Sequence, residues 1–160
     1  MNTSRLDHTD LRMLIHLQED SRISNKQLAS KMHMSLTTVS ERIRRLSKEG
    51  YIKGYTTELN REKFNLGMTV FIHVQLWDHS ANCLDDFNNT VSSWDEVREC
   101  YHMSGQYDFY LKIVIMDMPA YSRFLTTKLA KLPNLAHLQS YFVIAETKFD
   151  TRLKLDIQQL

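Results

Sequence analysis

The sequence is poor in the residues that break chains. It holds two prolines, Pro119 and Pro133, and four glycines, Gly50, Gly54, Gly67 and Gly105, in 160 residues. That excludes collagen-like and Pro/Gly-rich low-complexity chains, and makes each such residue a marker of where a periodic pattern starts, stops or turns. The two cysteines, Cys83 and Cys100, form no CxxC pair. No disulfide framework is expected, and a reducing cytoplasm is the expected compartment. No stretch approaches the roughly 18 consecutive apolar residues of a membrane span. The opening "MNTSRLDHTD" lacks the apolar core of a signal peptide. Also missing are HExxH, GxSxG, a Walker loop and GxGxxG. The histidines His8, His16, His33, His73, His79, His102 and His137 show no metal-ligand spacing, and Asp85-Asp86 sits on an expected solvated helix face. No catalytic constellation, metal or cofactor is therefore expected.

What remains is an ordinary globular composition, 42% hydrophobic and 24% charged, long enough for one domain or two small ones. Net charge is only +1, but it is unevenly placed. Residues 22–57 carry eight basic side chains against Glu41 and Glu49, so the rest of the chain is net acidic. A local polyanion-binding surface needs that asymmetry. A solvated basic helix face would show it as well.

The first part reads as three short helices. One runs from about Thr9 to Glu19, with N-cap candidates at Asp7 to Thr9 and an apolar stripe of Leu11, Leu14 and Ile15. Ser24 caps a second, Asn25 to Met32, burying Leu28, Ala29 and Met32. Ser35 caps a third, Leu36 to Glu49, closed by Gly50. Its Val39, Ile43 and Leu46 recur at i, i+4, i+7 and share one face. "YIKGYTTEL" then suits a short strand or small wing. The division expected is a winged helix-turn-helix domain over 1–59, a linker over 60–67 and a second domain over 68–160.

After Gly67 the period changes. "MTVFIHVQLW" alternates, Ser80 opens a helix burying Leu84, Phe87 and Val91, and "VRECYHM" and "FYLKIVIM" read as strands around "SGQYD". Asp117-Met118-Pro119 starts a helix with Tyr121, Leu125, Leu129 and Leu132 inward, ended by Pro133, and "HLQSYFVIAETK" is a last strand. The fold class expected is α+β, with a ferredoxin-like βαββαβ second domain. Two helices cover one sheet face only, yet Tyr110, Val114 and Met116 put apolar bulk on the other. A second copy is the simplest cover, so a homodimer is expected.

In the third helix, 100° per residue points Thr37, Glu41, Arg44 and Lys48 outward, flanked by Thr38, Ser40 and Arg45. Arg42 lies nearer the core edge, to snorkel or to brace the domain. In a major groove, Thr37 and Thr38 would reach base edges or a thymine methyl, and Glu41 would accept from cytosine. Arg44, Arg45 and Lys48 suit phosphates, as do Ser35 and the helix N-terminus. The alternative is a small-molecule-binding ferredoxin-like protein whose winged domain mediates protein interaction.

The stretch from "LDHTD" through "LQEDSRIS" to "SLTTVSERIRRLSKEGYIKGY" resembles the Lrp/AsnC family of feast/famine transcription regulators. The likeness continues through "VRECYHMSGQYDFYLKI" and "LAKLPNLAHLQSYFVIAETK", covering roughly residues 5 to 150. It implies a sequence-specific DNA-binding regulator, dimeric and able to assemble further, often to octamers, that often senses an amino acid or related small molecule. "SGQYD" matches the family's Gly-x-x-Asp effector loop, with Gln106 where an acidic residue is usual. The candidate effector residues are Ser104, Gly105, Gln106, Asp108 and Ser140. Gly105 allows close backbone approach, amide N–H groups suit a carboxylate and Asp108 suits an ammonium. A plain hairpin turn is the other reading of the same loop.

Overall fold

The computed structural model describes residues 6–156. They form two compact units, one of residues 6–58 and 148–156, the other Leu59–Thr147.

The first unit holds α1 (His8–Glu19), α2 (Asn25–Met32) and α3 (Leu36–Lys48). Each begins on a side-chain cap that satisfies an otherwise orphaned N–H. The Asp7 carboxylate accepts from Asp10 N–H while the Asp10 carboxylate accepts from Asp7 N–H, a reciprocal capping box. Ser24 and Gln27 repeat the device at α2, and Ser35 Oγ accepts from Thr38 N–H at α3. His33 takes the left-handed conformation at the end of α2, which turns the chain into α3. Met13, Leu17, Leu28, Ala29, Met32, Val39 and Leu46 form the core, with Ile43 and Ile52 packed beside it. Gly50, at φ +81°, stops α3, and the N–H groups of Tyr51 and Ile52 both donate to Leu46 C=O. The segment expected as a strand or wing runs on without pairing into a sheet, because no neighbouring strand faces it among the described residues.

The C-terminal segment also differs from the expected division. Residues 148–156 pack with the helical unit: the Gln18 amide accepts from Leu153 N–H at 2.7 Å and donates to Leu153 C=O at 3.2 Å. The stretch expected as a linker contains a 3-10 turn, Arg61–Phe64, that belongs to the second unit.

That second unit is a four-stranded antiparallel sheet in the order β2-β3-β1-β4, built from β1 (Met68–Leu76), β2 (Val97–His102), β3 (Phe109–Ile115) and β4 (Leu135–Phe142). With α4 (Ala81–Ser92) and α5 (Met118–Thr127) it gives the expected β-α-β-β-α-β order. Strand alternation puts Val70, Ile72, Val74 and Leu76 with Phe109, Leu111, Ile113 and Ile115 under Phe87, Val91, Tyr121 and Phe124. α5 stops short of Pro133. Thr126 and Thr127 turn their hydroxyls back onto Ser122 and Arg123 carbonyls, and the chain tightens into a 3-10 turn at Leu129–Lys131. The opposite sheet face carries stacked Phe71 and Tyr110, with His73 packed among Tyr107, Tyr110 and Tyr141.

Candidate functional site

Burial of Val39 and Leu46 fixes the rotation of α3 and leaves Thr37, Glu41, Arg44 and Lys48 exposed, as the 100° count expects. Thr38, Glu41, Arg44 and Lys48 line one broad open concavity. Among the described residues neither Arg44 nor Lys48 is paired with a carboxylate. Thr38 shares a hydrogen bond with Ser35 at 2.7 Å, and Ser40 accepts from the Asn25 amide at 3.1 Å, so both help set the helix.

Arg45 differs from the phosphate role expected of it. Its guanidinium reaches Asp10 at 2.6 Å and Glu49 at 3.4 Å. Arg42 braces, bonding Asp7 at 2.6 Å and Asp10 at 2.8 Å. Asp10 is wholly buried and receives both arginines, so this cluster fastens α3 to α1. Burial by itself would raise the Asp10 carboxyl, but the hydrogen bonds from Arg45, Asp7 N–H and Arg42 outweigh it and hold it below its ordinary value. Hydrogen bonds to the Asp7 and Asp10 carboxylates raise the Arg42 guanidinium, and the bond to Asp10 raises that of Arg45. Asp10 is absent from the sequence-derived set. The signal for it was present: Arg42 and Arg45 are three residues apart, so they share a face that an acid on α1 can meet.

In the second unit, Ser104, Gly105 and Gln106 come together in one exposed loop between β2 and β3, with Gly105 at φ +131°. The other two candidates are placed elsewhere or otherwise used. Ser140 pairs across the sheet with Ile72, hence on the helix-covered face, where its hydroxyl meets the Tyr121 hydroxyl at 2.6 Å. Asp108 is a staple: Oδ2 accepts Leu76 N–H at 2.7 Å, and Oδ1 lies 2.9 Å from His79 Nε2. His79 is a further residue outside the sequence-derived set; nothing in the spacing of the β1–α4 connection announces it. Asn134 takes the left-handed conformation, at φ +70°. Its amide clasps both backbone groups of Asp78, at 2.9 Å each. No group of acids, histidines or cysteines able to hold a metal occurs among the described residues. Among the described residues no helix is long and apolar enough to cross a membrane.

Comparison with known proteins agrees with this layout. The family described as "Lrp/AsnC ligand binding domain" matches residues 69–153, and "Winged helix-turn-helix DNA-binding" matches residues 6–53. The leucine-responsive regulatory proteins of Klebsiella pneumoniae and Escherichia coli (strain K12) are each 36% identical over 148 residues, covering 92% of this chain and 90% of theirs. A transcriptional regulator of Neisseria meningitidis, solved as its L-Met complex, superposes with a TM-score of 0.88 at 32% identity, over 95% of this chain and 98% of that one. An AsnC family transcriptional regulator of Agrobacterium tumefaciens does so with a TM-score of 0.88 at 34% identity, over 97% and 100%. With a matched DNA-binding unit, a matched ligand-binding unit and such relatives along nearly its whole length, the chain belongs to the Lrp/AsnC family of DNA-binding transcriptional regulators.

Proposed function

We propose that α3 is the recognition helix of a cytoplasmic regulator that binds a pseudo-palindromic operator as a dimer and answers to an amino acid or related small molecule. The carrying observation is the rotation of α3: Val39 and Leu46 are buried, and Thr37, Glu41, Arg44 and Lys48 face outward from one helix. Thr37 and Glu41 lie in its first half, where a helix enters the major groove, and read base edges. Arg44 and Lys48 follow one and two turns later and meet phosphates. The leading N–H groups of α3, which a helix cannot satisfy internally, add to that anion site. Asp10, Arg42 and Arg45 hold the helix at a fixed angle while this happens.

The dimer reading is supported by the uncovered face of the sheet. Phe71, Tyr110 and Tyr141 lie there, and His73 Nδ1 is buried without a hydrogen-bond partner among the described residues. A second copy would cover the rings and place polar groups against His73. The effector reading rests on the Ser104–Gln106 loop, on the family match over residues 69–153 and on the L-Met complex of the Neisseria relative. An effector acts by binding one assembly or orientation better than another, and a coupling of about 1–3 kcal/mol suffices.

The test is a genomic DNA-binding selection with and without an amino-acid pool, followed by salt titration on the enriched site. Enrichment of a two-fold-related motif, shifted by the pool, is the expected result. Absence of enrichment over random DNA would overturn the reading.

A further inference from the structure

The chemistry of the β2–β3 loop bears on which ligands it takes. Asp108 is the only acidic residue between Glu99 and Asp117, so it is the one carboxylate this segment offers to a ligand's ammonium group. That carboxylate is already engaged. Its Oδ2 accepts Leu76 N–H at 2.7 Å. Its Oδ1 lies 2.9 Å from His79 Nε2, and beside a carboxylate that nitrogen carries the hydrogen and donates it. The backbone is committed too: Asp108 N–H donates to Val74 C=O and Asp108 C=O accepts from Met103 N–H, each at 2.9 Å. With its side chain only 13% exposed, Asp108 keeps little surface for another donor.

The rest of the loop is neutral. Ser104, Gly105, Gln106 and Tyr107 present hydroxyl, amide and backbone groups, and at Gly105 the backbone is bare of side chain. A ligand carboxylate finds donors there. The one acceptor of full charge that the loop offers a ligand ammonium is Asp108, little exposed and with each oxygen already accepting one hydrogen bond.

Resting on the effector reading above, we infer that His79 is a specificity-determining residue. It holds the outer oxygen of Asp108, so the loop recognises a ligand's carboxylate and discriminates little between an α-amino acid and the corresponding α-keto acid.

The ring of His79 is 57% exposed on the connection between β1 and α4, so its removal disturbs little packing. His79→Ala uncovers Asp108 Oδ1 and restores an acceptor for ammonium. His79→Gln keeps a neutral N–H donor of similar reach and leaves that oxygen occupied.

Isothermal titration of the full chain with a panel of amino acids and their α-keto acids measures the effect. In the natural protein, each bound pair falls within about 5-fold in affinity. In His79→Ala the ratio moves toward the amino acid by about 10-fold or more, the scale of one charge-assisted hydrogen bond. In His79→Gln it stays at the natural value. A natural protein preferring the amino acid by more than about 10-fold, with the ratio unmoved in His79→Ala, overturns this inference and leaves the effector reading standing. Binding of no member of the panel overturns both.

Discussion

Helix α3 and the β2–β3 loop each carry a charge that the fold takes for itself. In α3 it is Arg45, held at 2.6 Å by buried Asp10. In the loop it is Asp108, held by Leu76 N–H and His79. The consequences differ. On α3, Arg44 and Lys48 share the exposed side and keep its positive field when Arg45 turns inward. The loop has no second acid, so once Asp108 is engaged no neighbour in the loop replaces its charge. A helix face offers a repeat of itself every three or four residues; a five-residue turn has one position for each role.

The largest break in that comparison comes from Asp10→Ala. It takes from Arg45 its shorter carboxylate bond, leaving Glu49 at 3.4 Å, and strips Arg42 of one of its two carboxylates. Removing one partner from a buried charge cluster costs about 3–5 kcal/mol. The arginines, 27% and 29% exposed, regain some hydration, so a loss near the lower end, about 3 kcal/mol, is expected. Urea denaturation of the full chain, with amide exchange in α1 and α3, measures it; the sheet unit should keep its protection. Acid tests the same cluster. The Asp10 carboxyl sits below its ordinary value of 3.8 in the folded chain. Its stabilisation is therefore complete above that value and is lost as pH falls through the lower folded one. The helical unit should weaken steeply below about pH 4, and Asp10→Asn should flatten that slope while lowering stability at neutral pH.

A smaller effect separates the arginines. Arg44→Ala with Lys48→Ala removes two phosphate contacts, so the slope of log K against log salt should shrink by about 1.8. Affinity should fall on every sequence alike. Arg45→Ala should leave the slope near its natural value while lowering the melting temperature. An equal drop in slope for Arg45→Ala would show that its bond to Asp10 gives way on DNA. Thr37→Ala or Glu41→Ala should instead relax preference at particular base pairs, at about 1–3 kcal/mol each.

Much of this was legible in the sequence because it depends on periodicity. Residue type marks the caps Ser24 and Ser35 and the cap candidates Asp7 to Thr9, while the inward stripe Val39, Ile43 and Leu46 and the alternation of β1 and β3 follow from fixed angular steps along a chain. What escaped depends on meetings between elements. The bond from Arg45 to Asp10 spans 35 residues and the bond from Asp108 to Leu76 N–H spans 32; the spacing of Arg42 and Arg45 points to an acid without naming it, and no local pattern specifies the partner of Asp108. The surroundings of Ser140 were illegible for a related reason. A strand puts alternate residues on opposite faces, so whether Ser140 meets a ligand or α5 is a question of register with β1, set at Ile72↔Ser140. The end of α5 turned on the adjacent hydroxyls of Thr126 and Thr127, a weaker signal than Pro133 downstream.

The finest comparison uses one glycine from each region. Gly50, at φ +81°, ends α3, and Gly105, at φ +131°, shapes the loop; nothing lies within 4 Å of a Cβ built on either. Alanine at each site therefore meets backbone strain and no collision, about 1–2 kcal/mol. Equal strain should have unequal outcomes. Gly50→Ala loads the end of a packed helix, whose Leu46 carbonyl receives both Tyr51 and Ile52 N–H, so its cost should register as lower stability of the helical unit with effector affinity unchanged. Gly105→Ala loads an exposed turn that shifts to relieve it, so the melting temperature should barely move while the carboxylate-binding geometry is lost. Paired melting curves and titrations separate the cases. If Gly105→Ala lowers stability as much as Gly50→Ala and leaves ligand affinity intact, the turn is structural and the effector site lies elsewhere on the sheet unit.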